Sequence, residues 1–377
     1  MDTHNNFDEL AAKFEPPDDF KKMMMENPSK KIPELANELI KLHEEGGKED
    51  EEIRCIDSII QLDDRVADHF FPWLLKGILF GINKNYEESV KCFDKAIKLG
   101  CSDIFELWYG KAMSLAELGK YEEALTCCEK AVALDHTDFD DSILEDLWYL
   151  KGQIHLHMGQ STKAITCYSK VTELNPNNDH AWDNMGAMFD GLGNHLEALE
   201  CFEKSINANP TGEGWYNKGN TLRRLDRDVD AIECFEQATK IQPTDPDGWL
   251  ELAHCFYNTG KPEEAIKCFD KIIELDPKNP GAVFKNMAEI WWNKFQIISR
   301  YQKVEGKISK KWLECIIKYF RVEPDRELVR TRLESIKIFD PILGDDLDKN
   351  LSDDEIMNKT INRWKQEAEK EQEAENS

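Results

Sequence analysis

Six tryptophans, Trp73, Trp108, Trp148, Trp182, Trp215 and Trp249, follow one another at steps of 35, 40, 34, 33 and 34 residues. A period this regular marks one small unit copied end to end, with each copy packed against its neighbours. Such a chain folds as an elongated stack, so function is to be sought on its surfaces and not in a central cavity.

The copies explain the spacing. From Asp179 one reads Trp182, Gly186, Phe189, Gly193, Ala198, Phe202, Ser205, Pro210; the next reads Trp215, Gly219, Leu222, Asp226, Ala231, Phe235, Ala238, Pro243. A third reads Trp249, Ala253, Phe256, Gly260, Ala265, Phe269, Ile272, Pro277. Tryptophan, a small residue and a large apolar residue fall on one helical face, and a second such face follows the glycine-containing break. The paired small positions, Gly186 with Ala198 for example, predict two helices in close approach with aromatic side chains wedged around the contact. Proline ends the second helix because it cannot donate the next backbone hydrogen bond. Two such helices cannot cover their own apolar faces, so several copies must stack before any is stable.

This pattern resembles the tetratricopeptide repeat. Further copies run from Glu145 (Trp148, Gly152, Gly159, Ala164, Tyr168, Val171, Pro176), from Phe105 to Asp138 and from Phe70 to Asp103, with Cys101 and His136 at the usual proline position. A degenerate copy spans Pro33 to Val66, where Ala36 replaces the tryptophan and Ile53, Cys55, Ile56 and Ile59 echo the second helix. Another begins at Pro280 and loses register after Trp291. The resemblance implies an all-α, right-handed α-solenoid of helix-turn-helix repeats.

The expected organisation is a flexible N-terminal arm, 1–32; the degenerate copy, 33–66; the array, 67–279; a degenerate last copy with capping helices, 280–343; and an acidic tail, 344–377. In the arm, Phe7, Leu10, Ala11 and Phe14 have helical spacing, which allows a frayed arm or a cap on the first copy, or else a segment that lies in the groove and occludes it. The stretch 299–339 carries eleven Lys/Arg against six Asp/Glu, suited to capping helices or to docking an acidic partner. In the tail, Ile356, Thr360, Ile361, Trp364 and Ala368 have the spacing of one amphipathic helix.

A net charge of −26 disfavours nucleic acid as a partner, since phosphate backbones would be repelled. No apolar run is long enough to span a membrane and no leader-like N-terminus is present, so a cytoplasmic chain is expected. Seven of the eleven cysteines, Cys55, Cys92, Cys127, Cys167, Cys201, Cys234 and Cys268, share one repeat position. A metal or redox ladder is one reading of that column; a small buried hydrophobe inherited by duplication is the other. Neighbouring repeats stack ~10 Å apart, a disulfide needs Cα atoms within ~7 Å, and no CxxC pair occurs. Inherited burial is the better account, and free thiols suit a reducing compartment.

The family resemblance also implies which side chains face a ligand: the second, fifth, sixth, ninth, twelfth and thirteenth positions of each first helix. In this sequence they include Tyr149 and His157, then Asp183 and Asn184, then Tyr216, Asn217, Asn220, Arg223 and Arg224, then His254, Tyr257 and Asn258, and finally Lys285. Amides can satisfy both the donor and the acceptor of a peptide main chain, and tyrosine offers contact area at low entropic cost. Arg223 and Arg224, with Lys285, suit an acidic side chain or a terminal carboxylate. The carboxylate clamp of chaperone-binding relatives fits poorly: Tyr216 and Glu251 replace a lysine and an asparagine of that pattern, leaving Asn220 and a basic Lys285.

His157, His180, Asp183 and Asp190 lack the spacing of a metal or catalytic motif, and no phosphate-binding loop or nucleophile elbow is present. The expectation is therefore a non-enzymatic module, without cofactor or metal, that binds an extended peptide or helix of a partner protein. The alternative is a scaffold that oligomerises or joins a larger complex through terminal helices, with Trp312 or Trp364 as anchors.

Overall fold

The computed structural model describes residues 7, 17–25, 31–45, 47–134, 141–275, 362 and 366. Lys285, the copy starting at Pro280, the basic stretch with Trp312 and the Trp364 segment lie outside these residues, as do Leu10, Ala11 and Phe14. Every regular element described is a helix. In chain order these are α1 (Asp18–Met25), α2 (Lys31–Glu45), α3 (Glu49–Leu62), the single turn α4 (Asp64–Ala67), α5 (Phe70–Ile82), α6 (Tyr86–Lys98), α7 (Phe105–Glu117) and α8 (Tyr121–Val132). There follow α9 (Asp141–His157), α10 (Ser161–Leu174), α11 (Asp179–Gly191), α12 (His195–Ala208), α13 (Gly212–Arg224), α14 (Asp228–Ile241), α15 (Pro246–Asn258) and α16 (Pro262–Leu275).

The chain divides into two compact units, Met1–Met188 and Phe189–Ser377. In the first, α2 packs with α3, α5 with α6, α7 with α8 and α9 with α10; in the second, α13 packs with α14 and α15 with α16. One core runs through the first unit from Phe7 to Ile154. A second joins Leu222, Phe235, Leu252, Phe256 and Phe269.

In three copies the glycine at the small position of the first helix is set by the aromatic ring of its partner helix. A Cβ on Gly77 would stand 2.7 Å from the ring of Phe93; on Gly152, 2.7 Å from Tyr168; on Gly219, 2.8 Å from Phe235. All three rings are fully buried. Where the ring gives way to the smaller Cys128, the glycine position holds Ala112, and both are fully buried. Tyr168 carries a hydroxyl where the others have phenylalanine, and that oxygen is buried without a hydrogen bond.

The tryptophans do something different from the wedge expected of them. Among the six, Trp108 is buried and the rest are half-buried. Four indoles donate Nε1–H to the carbonyl six residues earlier: Trp73 to Ala67, Trp108 to Ser102 and Trp182 to Pro176 at 2.9 Å, Trp249 to Pro243 at 3.0 Å. The amphipathic indole thus ties the entering loop to its own helix, which a phenyl ring cannot do.

The break between the two helices of a copy is a left-handed C-terminal turn. Gly119, Gly159, Gly193 and Gly260 take φ values of 73°, 70°, 82° and 77° there, and Lys84 and Asp226 take 58° and 56° at the same position. The following amides, from Asn85, Lys120, Gln160, Asn194, Arg227 and Lys261, donate back to the carbonyls of Phe80, Leu115, His155, Phe189, Leu222 and Phe256 at 2.8–2.9 Å. This is the Schellman arrangement, and it satisfies carbonyls that the ending helix orphans. Non-glycine residues pay a steric penalty in it.

Space is open around Gly193, so Gly193→Ala meets only the backbone penalty and should lose about 1 kcal/mol. Asp226→Gly should gain about 0.5–1 kcal/mol by the same logic. Gly219→Ala must push Phe235 aside, at a cost of about 1–3 kcal/mol. Urea midpoints of the three variants rank them.

Candidate functional site

Two separate stretches carry the side chains that the sequence assigns to a ligand. In the first unit, Tyr149 on α9 lies edge-on to Tyr168 with centroids 5.4 Å apart, and its hydroxyl accepts from Asn184 Nδ2 at 3.1 Å. Burial raises the Tyr149 phenol above its ordinary pKa, while hydrogen bonds from Asn184 and Gln153 pull the other way. Tyr149 and Asn184 are therefore brought together by adjacent copies, and each fixes the other. Asp183 is half-buried beside Asn184 in sequence. His157, exposed at the end of α9, stacks at 5.8 Å and 6° on Tyr121 of α8. Its neighbour His155 is buried, bonds Gln160 through Nδ1 at 3.0 Å, and has its pKa lowered by desolvation.

In the second unit, Tyr216 of α13 is held edge-on to Phe235 at 5.8 Å. Asn217 and Asn220 are half-buried on the same helix. No side-chain hydrogen bond holds Asn220 among the described residues, so its amide remains available to a ligand.

The two arginines differ from the expectation of open positive charge. The Arg223 guanidinium meets the Glu251 carboxylate of α15 and lies 3.7 Å from Asp228. Asp228 also receives Asn258 Nδ2 at 3.0 Å and the Cys255 thiol at 3.6 Å, and His254 Nδ1 stands 3.8 Å from Glu251. Arg224 meets Asp190, whose other oxygen takes His195 Nδ1 at 2.7 Å. Each arginine is thus neutralised by a carboxylate of a neighbouring copy. Tyr257 is half-buried on α15. Charge alternation between adjacent first helices, Asp190 then Arg223 and Arg224 then Glu251, was the sequence signal for this pairing.

Sequence reasoning also missed a basic ladder. Lysine follows tryptophan by three residues in four copies, and Lys76, Lys111, Lys151 and Lys218 lie 5.4, 6.0, 4.7 and 5.7 Å from the rings of Trp73, Trp108, Trp148 and Trp215. Three of them reach an acid on the preceding second helix: Lys76 to Asp57, Lys111 to Asp94 at 2.5 Å, and Lys218 to Glu203 at 3.6 Å. These are links between copies, legible as a Trp-x-x-Lys repetition once the copies are stacked.

The sequence signature of the tetratricopeptide repeat matches residues 72–99, 105–138, 145–178, 179–211, 212–245 and 246–279, just over half of the chain. The chain belongs to the tetratricopeptide repeat family. Its fold is similar to that of the C-terminal part of a TPR repeat-containing protein from Cytophaga hutchinsonii: 19% identity, TM-score 0.56, covering 67% of this chain and 95% of that one. Two further solved structures are more distant. YrrB, described as a TPR protein with an unusual peptide-binding site, is 21% identical over 48% of this chain and 88% of its own, at TM-score 0.41. MamA is 18% identical over 44% and 93%, at TM-score 0.40. No curated protein matches the sequence.

The cysteine column of these repeats is buried throughout, and all ten described cysteines are free. Desolvation pushes the thiols of Cys55, Cys92, Cys201 and Cys234 up to about 11, and that of Cys268 up to about 12. Among the described residues, no three His, Cys, Asp or Glu side chains are grouped to hold a metal. No described helix is long and apolar enough to cross a membrane.

At about pH 8, roughly one thiol in a thousand at Cys92 is ionised, so iodoacetamide should label the ten native positions slowly and denatured ones at once. Mass mapping reads both states, and native labelling should rise with pH towards 11. Arg223→Ala should cost about 1–2 kcal/mol by leaving Glu251 and Asp228 without their cation. Its combination with Glu251→Gln should cost about 1 kcal/mol less than the sum of the single variants in a denaturation cycle.

Proposed function

We propose that this protein-interaction module binds an extended peptide or helical segment of a partner protein along its first helices, with a polar anchor at Asn217, Asn220, Arg223 and Arg224. The tetratricopeptide repeats make it an interaction module in the broad sense. The observation that carries the narrower reading is the combination of pinned aromatics and an available amide. Tyr216 is locked against Phe235, while Asn220 beside it on α13 keeps its hydrogen-bonding capacity.

Such a face reads main chain more than charge. A ligand carboxylate would have to displace Glu251 from Arg223 or Asp190 from Arg224, and either exchange leaves a protein acid behind. A peptide amide can take donor and acceptor together from the Asn220 side chain, with Asn217 beside it on α13. The paired arginines then act as rigid walls whose remaining N–H groups point to carbonyls. In this reading the array 67–279 does the binding, flanked by the arm 1–32 and the segments 280–343 and 344–377. The ten buried thiols fit a reducing compartment such as the cytoplasm. No catalytic step enters.

A random peptide library displayed on phage and panned on the full chain supplies the test. Enriched peptides should bind the wild type and lose at least about tenfold in affinity, about 1.4 kcal/mol, on Asn217→Ala/Asn220→Ala/Arg224→Ala at unchanged helical content. Binding should vary little between low and high salt, because the face is internally neutralised. Equal affinity for the triple variant would refute the anchor.

A further inference from the structure

The face that is polar in α13 is apolar in α5, and it is already covered. Counted from the tryptophan, Leu74, Leu75, Ile78, Gly81 and Ile82 stand where α13 has Tyr216, Asn217, Asn220, Arg223 and Arg224. All five are buried, whereas none of their counterparts is. A helix with apolar residues on every side must be enclosed by something. Lys76 is its one charged residue, and that side chain is engaged by Asp57.

Part of the enclosure is the N-terminal segment. Phe7 is fully buried with its ring so close to Gly81 that any Cβ there would strike it. Gly81 is thus a niche shaped for a phenyl ring, at the register position where Arg223 stands in α13. Phe20 of α1 is buried with its ring 4.9 Å from Phe71 and 5.0 Å from His69. His69 Nδ1 accepts the Phe71 amide at 3.2 Å, so its proton sits on Nε2 and is donated to Asp19 at 3.3 Å. Met24 completes the set of buried anchors.

We propose that Phe7 and α1 form an intramolecular ligand of α5, occupying this face until a partner segment of the same chemistry, amphipathic and phenylalanine-bearing, takes their place. The covering segment is itself a short peptide with two phenyl anchors, so it reports directly what the face accepts. Its grip suits exchange. α1 has eight residues, too few to persist as a helix without its docking partner. Its outer side is exposed at Asp18, Asp19, Lys21 and Lys22, and the Asp19 end of its tie to His69 is solvent-facing. Segments of this kind open locally before the core does. The polar anchor of the second unit plays no part in this inference, and either can fail alone.

The probe is a fluorescent peptide with the sequence of residues 1–25, added to the full chain. Phe7→Ala/Phe20→Ala vacates the face and should bind the peptide saturably; the wild-type chain should bind it at least about tenfold more weakly. Adding Gly81→Leu to the double variant fills the niche and should abolish binding. A folded double variant that ignores the peptide overturns the proposal, as does equal binding by the wild type. Hydrogen exchange on the wild type gives a second reading that needs no variant. Amides of residues 18–25 should exchange at least about tenfold faster than those of α5. Exchange of both only in global unfolding would make the segment a fixed part of the core and end the proposal.

Discussion

A missing methyl group sets the distance between the two helices in three of the copies. Gly77, Gly152 and Gly219 present bare backbone to the rings of Phe93, Tyr168 and Phe235, which could not lie where they do against even an alanine. Close approach buries the ring completely, and a buried aromatic ring is among the largest single contributions a small unit can collect. Everything outside this contact follows from it. The helices must be antiparallel neighbours, so a tight turn is needed, and the left-handed residue at positions such as Gly159 and Gly193 supplies it. The ring of the second helix fills the inner side of the first, so the tryptophan is left over the flank. There it has a polar task, holding a loop carbonyl, and a cation to carry in Lys76, Lys111, Lys151 or Lys218.

Stacking one copy on the next is then a matter of charge register as much as apolar fit. Lys111 reaches Asp94, Lys218 reaches Glu203, Arg223 reaches Glu251 and Arg224 reaches Asp190. In a chain with 74 acids and 48 bases, carboxylates outnumber the cations they can meet on a neighbouring copy. Each half-buried pair adds modestly to stability. Together they penalise any slip in which like charges would meet, so the order of copies is specified by charge where the apolar positions are interchangeable.

The helix pairs, their turns and the buried second-helix aromatics were legible in the sequence, because each depends on residues a fixed distance apart within one copy. Gly186 with Ala198 announced close packing, and Pro210 and Pro243 announced the ends of helices. The role of tryptophan was not legible, since its spacing reports that it recurs and not which atom it uses. The fate of Arg223 and Arg224 was hidden for a related reason. Their partners, Glu251 and Asp190, lie on other copies, and a list of ligand-facing positions made copy by copy shows no pairing between them. Tyr149 with Asn184 escaped in the same way. The arm was read from Phe7, Leu10, Ala11 and Phe14 as a frayed arm, a cap or a groove occupant, and only the bare surface of Gly81 shows where Phe7 goes. The apolar run from Phe71 to Ile82 was the clue available: a helix so uniformly greasy needs a third party to cover it.

Duplication makes such divergence cheap. Where they occur, the ring contact, the turn and the indole bond use one side of the first helix and leave other positions less constrained by the pair. Its positions can therefore change chemistry without disturbing the fold. α13 carries tyrosine, amides and neutralised arginines there; α5 carries leucine, isoleucine and glycine. The polar face tolerates water and can stand open. The apolar face cannot, because exposing Leu74, Leu75, Ile78 and Ile82 together would leave a contiguous greasy patch of the kind that drives aggregation. A chain that keeps such a face must cover it, and here Phe7 and Phe20 lie buried against α5. The asymmetry between the two faces is thus a physical reason for Phe7 and α1 to lie beside α5, and no corresponding cover is required over α13.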